Sequence, residues 1–180
     1  MVTVEFVRDP RPYGSEIRRL LAEANDEFVP PLASREGTTQ TAGLDEQRND
    51  ALEDYHEQCM DQSFVLAHAD DDVYGFLSFR QDYATEALGD YIPSNYVSTI
   101  IVDEARRREG YARRMYETLL TDLPPSARAP YVTTRTWSTN DGHLTLLEEL
   151  GFECLARLED DRGEGIDTVY YGIAADEFDP

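Results

Sequence analysis

Tyr96-Val-Ser-Thr-Ile-Ile-Val-Asp-Glu-Ala-Arg-Arg-Arg-Glu-Gly-Tyr-Ala-Arg-Arg-Met-Tyr-Glu-Thr-Leu-Leu120 joins a strand to a helix across a short arginine-rich turn. Tyr96 to Val102 is the most apolar, β-branched run of the chain and reads as a buried strand. Past the turn, Ala112, Met115, Tyr116, Leu119 and Leu120 recur at helical spacing, with Arg113, Arg114, Glu117 and Thr118 on the outer face. A helix N-terminus presents unpaired N–H groups and the positive end of a dipole, which suits a phosphate. Gly110 allows close backbone approach, and Ala112 keeps the first turn small. Arg106, Arg107 and Arg108 add positive charge, and an anion-binding turn accounts for three such residues together. The plain alternative is a solvated loop before an ordinary helix. Neither G-x-G-x-x-G nor G-x-x-x-x-G-K-[ST] is present, so the familiar nucleotide patterns do not apply.

Outward from this segment the chain alternates between sheet and helix signals. Val2 to Val7 predicts a short strand, broken by Asp9-Pro10-Arg11-Pro12. Ile17, Leu20, Leu21, Ala24 and Phe28 predict a helix that Pro30 and Pro31 end. A polar loop runs to about Gly43, and an acidic helix is expected over Leu44 to Met60. Ser63 to Ala69 and Val73 to Gln81 form a hairpin across Asp70-Asp71-Asp72. After the long helix, Tyr131 to Trp137 is a strand, and Thr139 or Asn140 caps a helix with Leu144, Leu147 and Leu150 on its apolar side. Gly151 ends it, and Phe152 to Leu158 and Thr168 to Ile173 are the last strands. Two helices then three strands, followed by alternating elements, predict a mixed α/β domain around a largely antiparallel sheet.

The chain has 180 residues, the size of one domain, assigned here as 1–180. At 41% hydrophobic and 11% aromatic it can build a real core, which excludes global disorder. No apolar run reaches the ~20 residues that cross a bilayer, and Met1 to Asp9 lacks the basic and apolar parts of a secretory signal. Cys59 and Cys154 are far apart without metal-type spacing, so two reduced thiols and no metal site are expected. The charge balance is 37 acidic against 16 basic residues, a net −21, and every basic residue is arginine. That surplus repels nucleic acid and anionic lipid. The acids are dispersed from Asp9 to Asp176 with no single block, a pattern that resembles proteins of extreme halophiles more than a docking surface for a cationic partner.

Arg107-Arg108-Glu109-Gly110-Tyr111-Ala112 resembles the R/Q-x-x-G-x-G/A signature of the GNAT superfamily of N-acetyltransferases, and it follows a strand ending Ile100-Ile101-Val102, as in that family. Asn140-Asp-Gly-His-Leu-Thr-Leu-Leu-Glu-Glu-Leu-Gly-Phe152 is similar to the family's N-x-x-A-x-x-L-Y-x-x-L-G-F segment, with Asn140, Leu146, Leu150, Gly151 and Phe152 in register. The order of elements from Val2 to Ile173 agrees as well. The resemblance implies an α/β (α+β) fold: one domain with a mixed, mostly antiparallel sheet of about six or seven strands flanked by helices. Its central strand pair would splay to form an acetyl-CoA cleft. Backbone groups of Ile100, Ile101 and Val102 would pair with the pantetheine arm like an added strand. The amides from Arg108 through Glu109, Gly110, Tyr111 and Ala112 to Arg113, with Arg107 opening the signature, would cradle the pyrophosphate, and Asn140 would contact the cofactor from the following helix. The implied reaction is direct attack of a primary amine, of a small molecule or a protein, on the acetyl thioester. The implied setting is cytoplasmic, without nucleic acid or membrane, and a homodimer is an open option.

Two departures bear on the chemistry. Leu147 stands where the family often has the Tyr that protonates the leaving thiolate. His143, one turn earlier and expected on the same helix face, is the candidate for cofactor contact or proton transfer; the plain alternative is a solvated surface residue. No carboxylate lies within Tyr96 to Val102, where some relatives keep a base. Glu86 and Asp90 read as surface, leaving a water chain, Tyr96 or Ser98 for that task. Tyr83, Tyr91, Tyr96, Tyr131, Tyr170 and Tyr171 are candidates for an acceptor pocket, though each also suits a strand, and Trp137 reads as core. Two other readings remain: a non-catalytic acyl-CoA-binding or regulatory module, which Leu147 favours, and a nucleotide-phosphate binder, which lacks the Lys such sites use. The charge generates a first prediction. Melting temperature should climb steeply from dilute buffer to molar potassium chloride, as the Debye length shrinks to about 3 Å and self-repulsion is screened. A melting temperature indifferent to salt would contradict the halophilic reading.

Overall fold

A computed structural model describes residues 1–34 and 48–180. Among these, the strands are β1 (Thr3–Val7), β2 (Ser63–Ala69), β3 (Asp72–Tyr83), β4 (Ser94–Val102), β5 (Tyr131–Trp137), β6 (Glu153–Leu158) and β7 (Thr168–Ala174). The helices are α1 (Gly14–Ala24), α2 (Arg48–Met60), α3 (Tyr111–Thr121) and α4 (Asp141–Glu149). The seven strands form one sheet in the order β1-β2-β3-β4-β5-β7-β6. Every neighbouring pair is antiparallel except β4 and β5, which are parallel.

The alternation of side chains along the strands divides the apolar residues between two cores. On β2, Phe64 and Leu66 pack with Ile17, Leu20 and Leu21 of α1 and with Leu52, Tyr55 and Cys59 of α2. Val65 and Ala67, alternating with them in sequence, face the other way, onto Met115, Tyr116 and Leu119 of α3, Leu147 of α4 and Leu150 at its C-cap. Thus α1 and α2 cover one face, α3 and α4 the other. Ile101 of β4 belongs to the first core and Val97 to the second, so β4 is covered on both sides. Its backbone sits close against β3: a Cβ at Gly75 would come within 2.8 Å of the Ile101 carbonyl oxygen. Only glycine fits there, and β4 is thereby held along its β3 side.

The expected order of elements is the observed one, with shifted boundaries. The first helix starts at Gly14 and ends at Ala24, and a 3-10 turn over Asn25–Glu27 carries the chain on, so Phe28 falls beyond the helix. The acidic helix is described from Arg48; Leu44 to Glu46 and most of the polar loop before them lie outside the described residues. At the expected cap of α4, Asn140 occupies the N-cap position without a side-chain cap bond; its Nδ2 donates to Thr136 Oγ1 at 3.0 Å instead.

Candidate active site

The parallel ladder between β4 and β5 joins only Ser94–Val97 to Tyr131–Thr134. Beyond that fork the strands run on to Val102 and Trp137 without pairing to each other. Two features mark the branching point. The register of β4 against β3 slips between Ser78 and Phe79, making Ser98 the extra residue of a bulge, which bends and twists its strand. Thr134 Oγ1 donates to the Val97 carbonyl at 2.9 Å, satisfying the last acceptor of the ladder. The result is a cleft of about 430 Å³, walled by Val97 to Val102 on one side and Thr134 to Trp137 on the other. Backbone polar groups on the open edges of such a fork demand a partner, whether water or a ligand arm.

The arginine-rich turn closes the wide end. Asp103 accepts from the Ala105 amide at 2.9 Å and starts a single 3-10 turn over Glu104–Arg106. Arg108 and Gly110 then take left-handed backbone angles, φ 66° and 83°. Gly110 is needed for that angle: a Cβ there would meet nothing within 4 Å, so the protein itself does not crowd it. The first intrahelical bond of α3 runs from the Arg114 amide to the Gly110 carbonyl at 3.1 Å. The amides from Arg108 to Arg113 therefore have no acceptor among the described residues, and they form an outward nest at a helix N-terminus. The arginine side chains contribute less than their number suggests. Arg106 lies over the Tyr74 ring at 4.4 Å. Arg107 is forked onto Glu27, with N–O distances of 2.9 and 2.6 Å, and Arg113 is paired with Glu149. Arg108 is exposed and has no side-chain partner among the described residues.

The other wall is α4. Asn140, Gly142, His143 and Leu146 line the cleft, whereas Leu147 is wholly buried in the α3–α4 core and does not reach it. His143 and Leu147, expected on one helix face, differ in surroundings: His143 lines the cleft with Leu146, and Leu147 is buried in the core. His143 Nε2 shares a 2.9 Å hydrogen bond with the hydroxyl of Tyr116, a fully buried residue of α3 whose ring stacks on the imidazole. Burial pushes His143 down to about 4, so its ring is neutral at physiological pH. Burial also raises the Tyr116 phenol well above its ordinary range, with a smaller opposing effect from Thr134. Tyr116, Thr134 and the Val97 carbonyl thus tie His143 to the fork. Read as an apolar helix position, Tyr116 was not singled out by the sequence; no spacing rule marks a phenol whose partner lies on another helix.

Of the residues expected around the cofactor, Ile100, Ile101, Val102, Arg107, Ala112 and Asn140 line the cleft together with His143. Arg108, Glu109, Gly110, Tyr111 and Arg113 fall outside the cavity, on the turn at its mouth. Tyr111 buries its ring edge-on against Tyr74 at 5.8 Å, so only its backbone is offered to the turn. None of the six candidate acceptor tyrosines lines the cavity. Trp137, expected in the core, does line it, with its ring 5.5 Å from that of Phe28. Glu86 and Asp90 are exposed, as expected. Tyr96 is buried and stacked on Tyr83 at 4.3 Å, and burial raises its phenol strongly, which removes it as a base. Ser98 faces the cleft and hydrogen-bonds Gln62 and, at 3.2 Å, the Ser78 hydroxyl. Cys59 and Cys154 are unpaired, and burial pushes the Cys59 thiol up to about 11, which makes it inert.

The family model for the acetyltransferase (GNAT) family matches residues 18–152. The chain belongs to that family. No curated protein matches it in sequence. Among solved structures it is similar to a GNAT-family protein from Desulfovibrio desulfuricans, with TM-score 0.67 and 20% identity over 97% of this chain and 99% of that one. It is similar to an aminoglycoside 6'-acetyltransferase type Ii, with TM-score 0.67 and 16% identity over 97% of each chain. It is also similar to yncA from Salmonella typhimurium, solved with acetyl-CoA, with TM-score 0.62 and 16% identity over 100% of this chain and 97% of that one. These likenesses establish a GNAT fold, one α/β domain with a seven-stranded mixed sheet flanked by helices.

The His143 environment makes a pH prediction. Its folded-state value, about 4, lies below the unfolded value near 6.5. Stability is therefore complete above about pH 6.5 and is lost as pH falls towards 4, because only the unfolded chain takes up the proton. The unfolding free energy of wild type relative to His143→Gln should fall by on the order of 2 kcal/mol across that window and stay flat above it. A difference that does not change with pH would contradict the buried neutral imidazole.

Proposed function

We propose that this protein is an acetyl-CoA-dependent N-acetyltransferase that transfers acetyl to a primary amine by direct attack. The observation that carries the reading is the open fork between β4 and β5, whose wide end meets the unpaired amides of Arg108 to Arg113. An extended pantetheine arm would add to the free edge beyond Val97, through Ile100, Ile101 and Val102, as a short extra strand. The diphosphate would sit on the amide nest and the positive end of α3, where Arg107, already neutralised by Glu27, supports the turn more than it binds charge. Asn140, its Nδ2 held by Thr136, keeps Oδ1 available to an amide of the arm. The thioester would then lie at the narrow end, near Ser98, Thr134 and His143. The bulge at Ser98 frees the backbone from the β3 ladder there, which suits polarisation of a carbonyl.

The acid–base requirements are modest. The amine nitrogen forms a bond to the acetyl carbon, the bond to sulfur breaks, and the amine proton leaves through water at Ser98. The thiol is already a good leaving group, with a pKa near 8.5. His143 fits a hydrogen-bonding contact to the sulfur end better than a proton donor, because so little imidazolium exists at neutral pH when the pKa is about 4. Leu147 supplies no hydroxyl, so water is the proton source in this reading. The acidic, lysine-free surface supports a cytoplasmic enzyme of a salt-rich cell acting on amines rather than on nucleic acid or membrane, as one domain over residues 1–180. No helix among the described residues is long and apolar enough to cross a membrane. The sequence leaves self-association into a homodimer open.

The test is release of free CoA from acetyl-CoA in the presence of a broad panel of amines, with CoA binding followed separately by its effect on melting temperature. Amine-dependent release is expected. Binding without release for any amine would favour the non-catalytic acyl-CoA-binding module. His143→Ala and Tyr116→Phe should each lower kcat by less than about tenfold, whereas loss of a general acid costs ~10²–10⁴. A hundredfold drop in kcat for His143→Ala with CoA binding intact would make His143 the acid.

A further inference from the structure

Arg135 is an anomaly in a chain with more than twice as many acidic as basic residues. It sits on β5 in the wall of the cleft, yet no carboxylate pairs with it among the described residues. Its Nε is buried without a hydrogen-bond partner. Its one hydrogen bond among the described residues is from Nη1 to the Tyr170 hydroxyl at 3.1 Å. A guanidinium carries five N–H donors, and a half-buried one without a counter-charge is costly unless something else supplies the anion. Arg107, the other arginine in the cleft wall, already has Glu27.

Its position says what that anion belongs to. Arg135 follows Thr134, the last residue of β5 paired to β4, so it lies at the fork where the thioester would sit. Successive strand residues face opposite sides of a sheet. Thr134 is on the side of Tyr116 and α3, and Arg135 is therefore on the side of α1 and α2, together with Trp137 and its neighbour Phe28. The arm and diphosphate lead away from this point towards Arg108 to Arg113. Arg135 is thus beside the acyl end, on the face from which an amine would approach, and far along the chain from the phosphate nest.

We propose that Arg135 reads the acceptor: the amine that this enzyme acetylates carries a carboxylate, as a free amino acid does, and Arg135 grips that carboxylate while the amine reaches the acetyl carbon. The inference rests on the acetyltransferase reading above. The planar fork of Nε and Nη groups matches the two oxygens of a carboxylate. Tyr170 fixes the guanidinium through Nη1, with its ring 5.9 Å from the charge, and leaves Nη2 and the second N–H of Nη1 for the ligand. Phe28 and Trp137 offer an apolar wall to the acceptor's side chain. The carboxylate is only held: the new C–N bond, the broken C–S bond and the proton lost by the amine all concern other atoms. Polycationic acceptors are disfavoured by the same charge, despite the acidic outer surface that would attract them.

The experiment compares kcat/KM for α-, β- and γ-amino acids with their carboxamides, alongside spermidine and kanamycin, and follows CoA binding by melting temperature. At least one free amino acid should exceed its carboxamide by about 100-fold, since a site built for a polar group rejects the analogue that leaves it unpaired. In Arg135→Gln that ratio should collapse towards one, and Arg135→Lys should recover part of it. Carboxamides used as well as acids, or spermidine or kanamycin as the best acceptor, would overturn the assignment while leaving the acetyltransferase reading intact. An equal fall for acid and carboxamide in Arg135→Gln would also overturn it, by making Arg135 merely structural. If that variant does not fold, the wild-type ratio decides alone. No turnover with any amine would remove the inference together with the activity on which it rests, and an absent CoA shift would remove the cleft assignment as well.

Discussion

The parallel ladder between β4 and β5 stops at Val97 and Thr134, and the rest of the site depends on that interruption. A continuous ladder would satisfy every backbone group and leave no cleft. Here the Thr134 hydroxyl satisfies the last carbonyl, the bulge at Ser98 turns β4 away, and both strands leave backbone edges open inside a covered sheet. Open backbone groups within a protein are costly unless paired. The fork is therefore a place prepared for an extended polar ligand, and β4 is held there by cores on both faces. Gly75 contributes by letting β3 press against β4 where a side chain would push it off.

Electrostatics within the cleft runs against the charge of the surface. A net −21 makes the exterior repel anions, yet the inner surface presents the α3 amide nest and Arg135, which has no carboxylate partner among the described residues. Several other arginines are neutralised locally, as Arg107 by Glu27, Arg113 by Glu149 and Arg157 by Asp167. Among the described residues, the cleft offers ligands the backbone dipole and exposed Arg108 at the turn and the Arg135 guanidinium at the fork. Backbone donors act at contact and do not rely on the long-range attraction between exposed charges that salt screens.

Much of this was legible in the sequence because it rests on local rules. The β4–turn–α3 segment combines β-branched residues, a glycine needed for a left-handed angle, and helical periodicity, all readable without a partner. The strand Tyr131–Trp137 was delimited correctly for the same reason. What escaped depends on contacts between elements distant in sequence. Tyr116 reads as a core position until His143 of α4 is placed beside its hydroxyl, and Trp137 reads as core until the ladder beside it ends. Leu147 and His143 share a helix side by spacing, but only His143 lines the cleft, while Leu147 is buried in the core. The side-chain role of the three consecutive arginines was overestimated, since Glu27, after α1, is invisible to any local reading of that turn. Arg135 looked like an ordinary strand residue, and only the absence of a nearby carboxylate among the described residues distinguishes it.

The central claim, that acetyl-CoA occupies the open fork and rests on the α3 amides, is tested most directly by amide hydrogen exchange with and without acetyl-CoA. Unpaired amides exchange quickly, and acquiring an acceptor slows them. The account predicts slowed exchange in the peptides covering residues 98–102 and 108–113, with little change in β1, β2 or β6. Full saturation with no added protection in either segment, or protection confined to another surface, would contradict it.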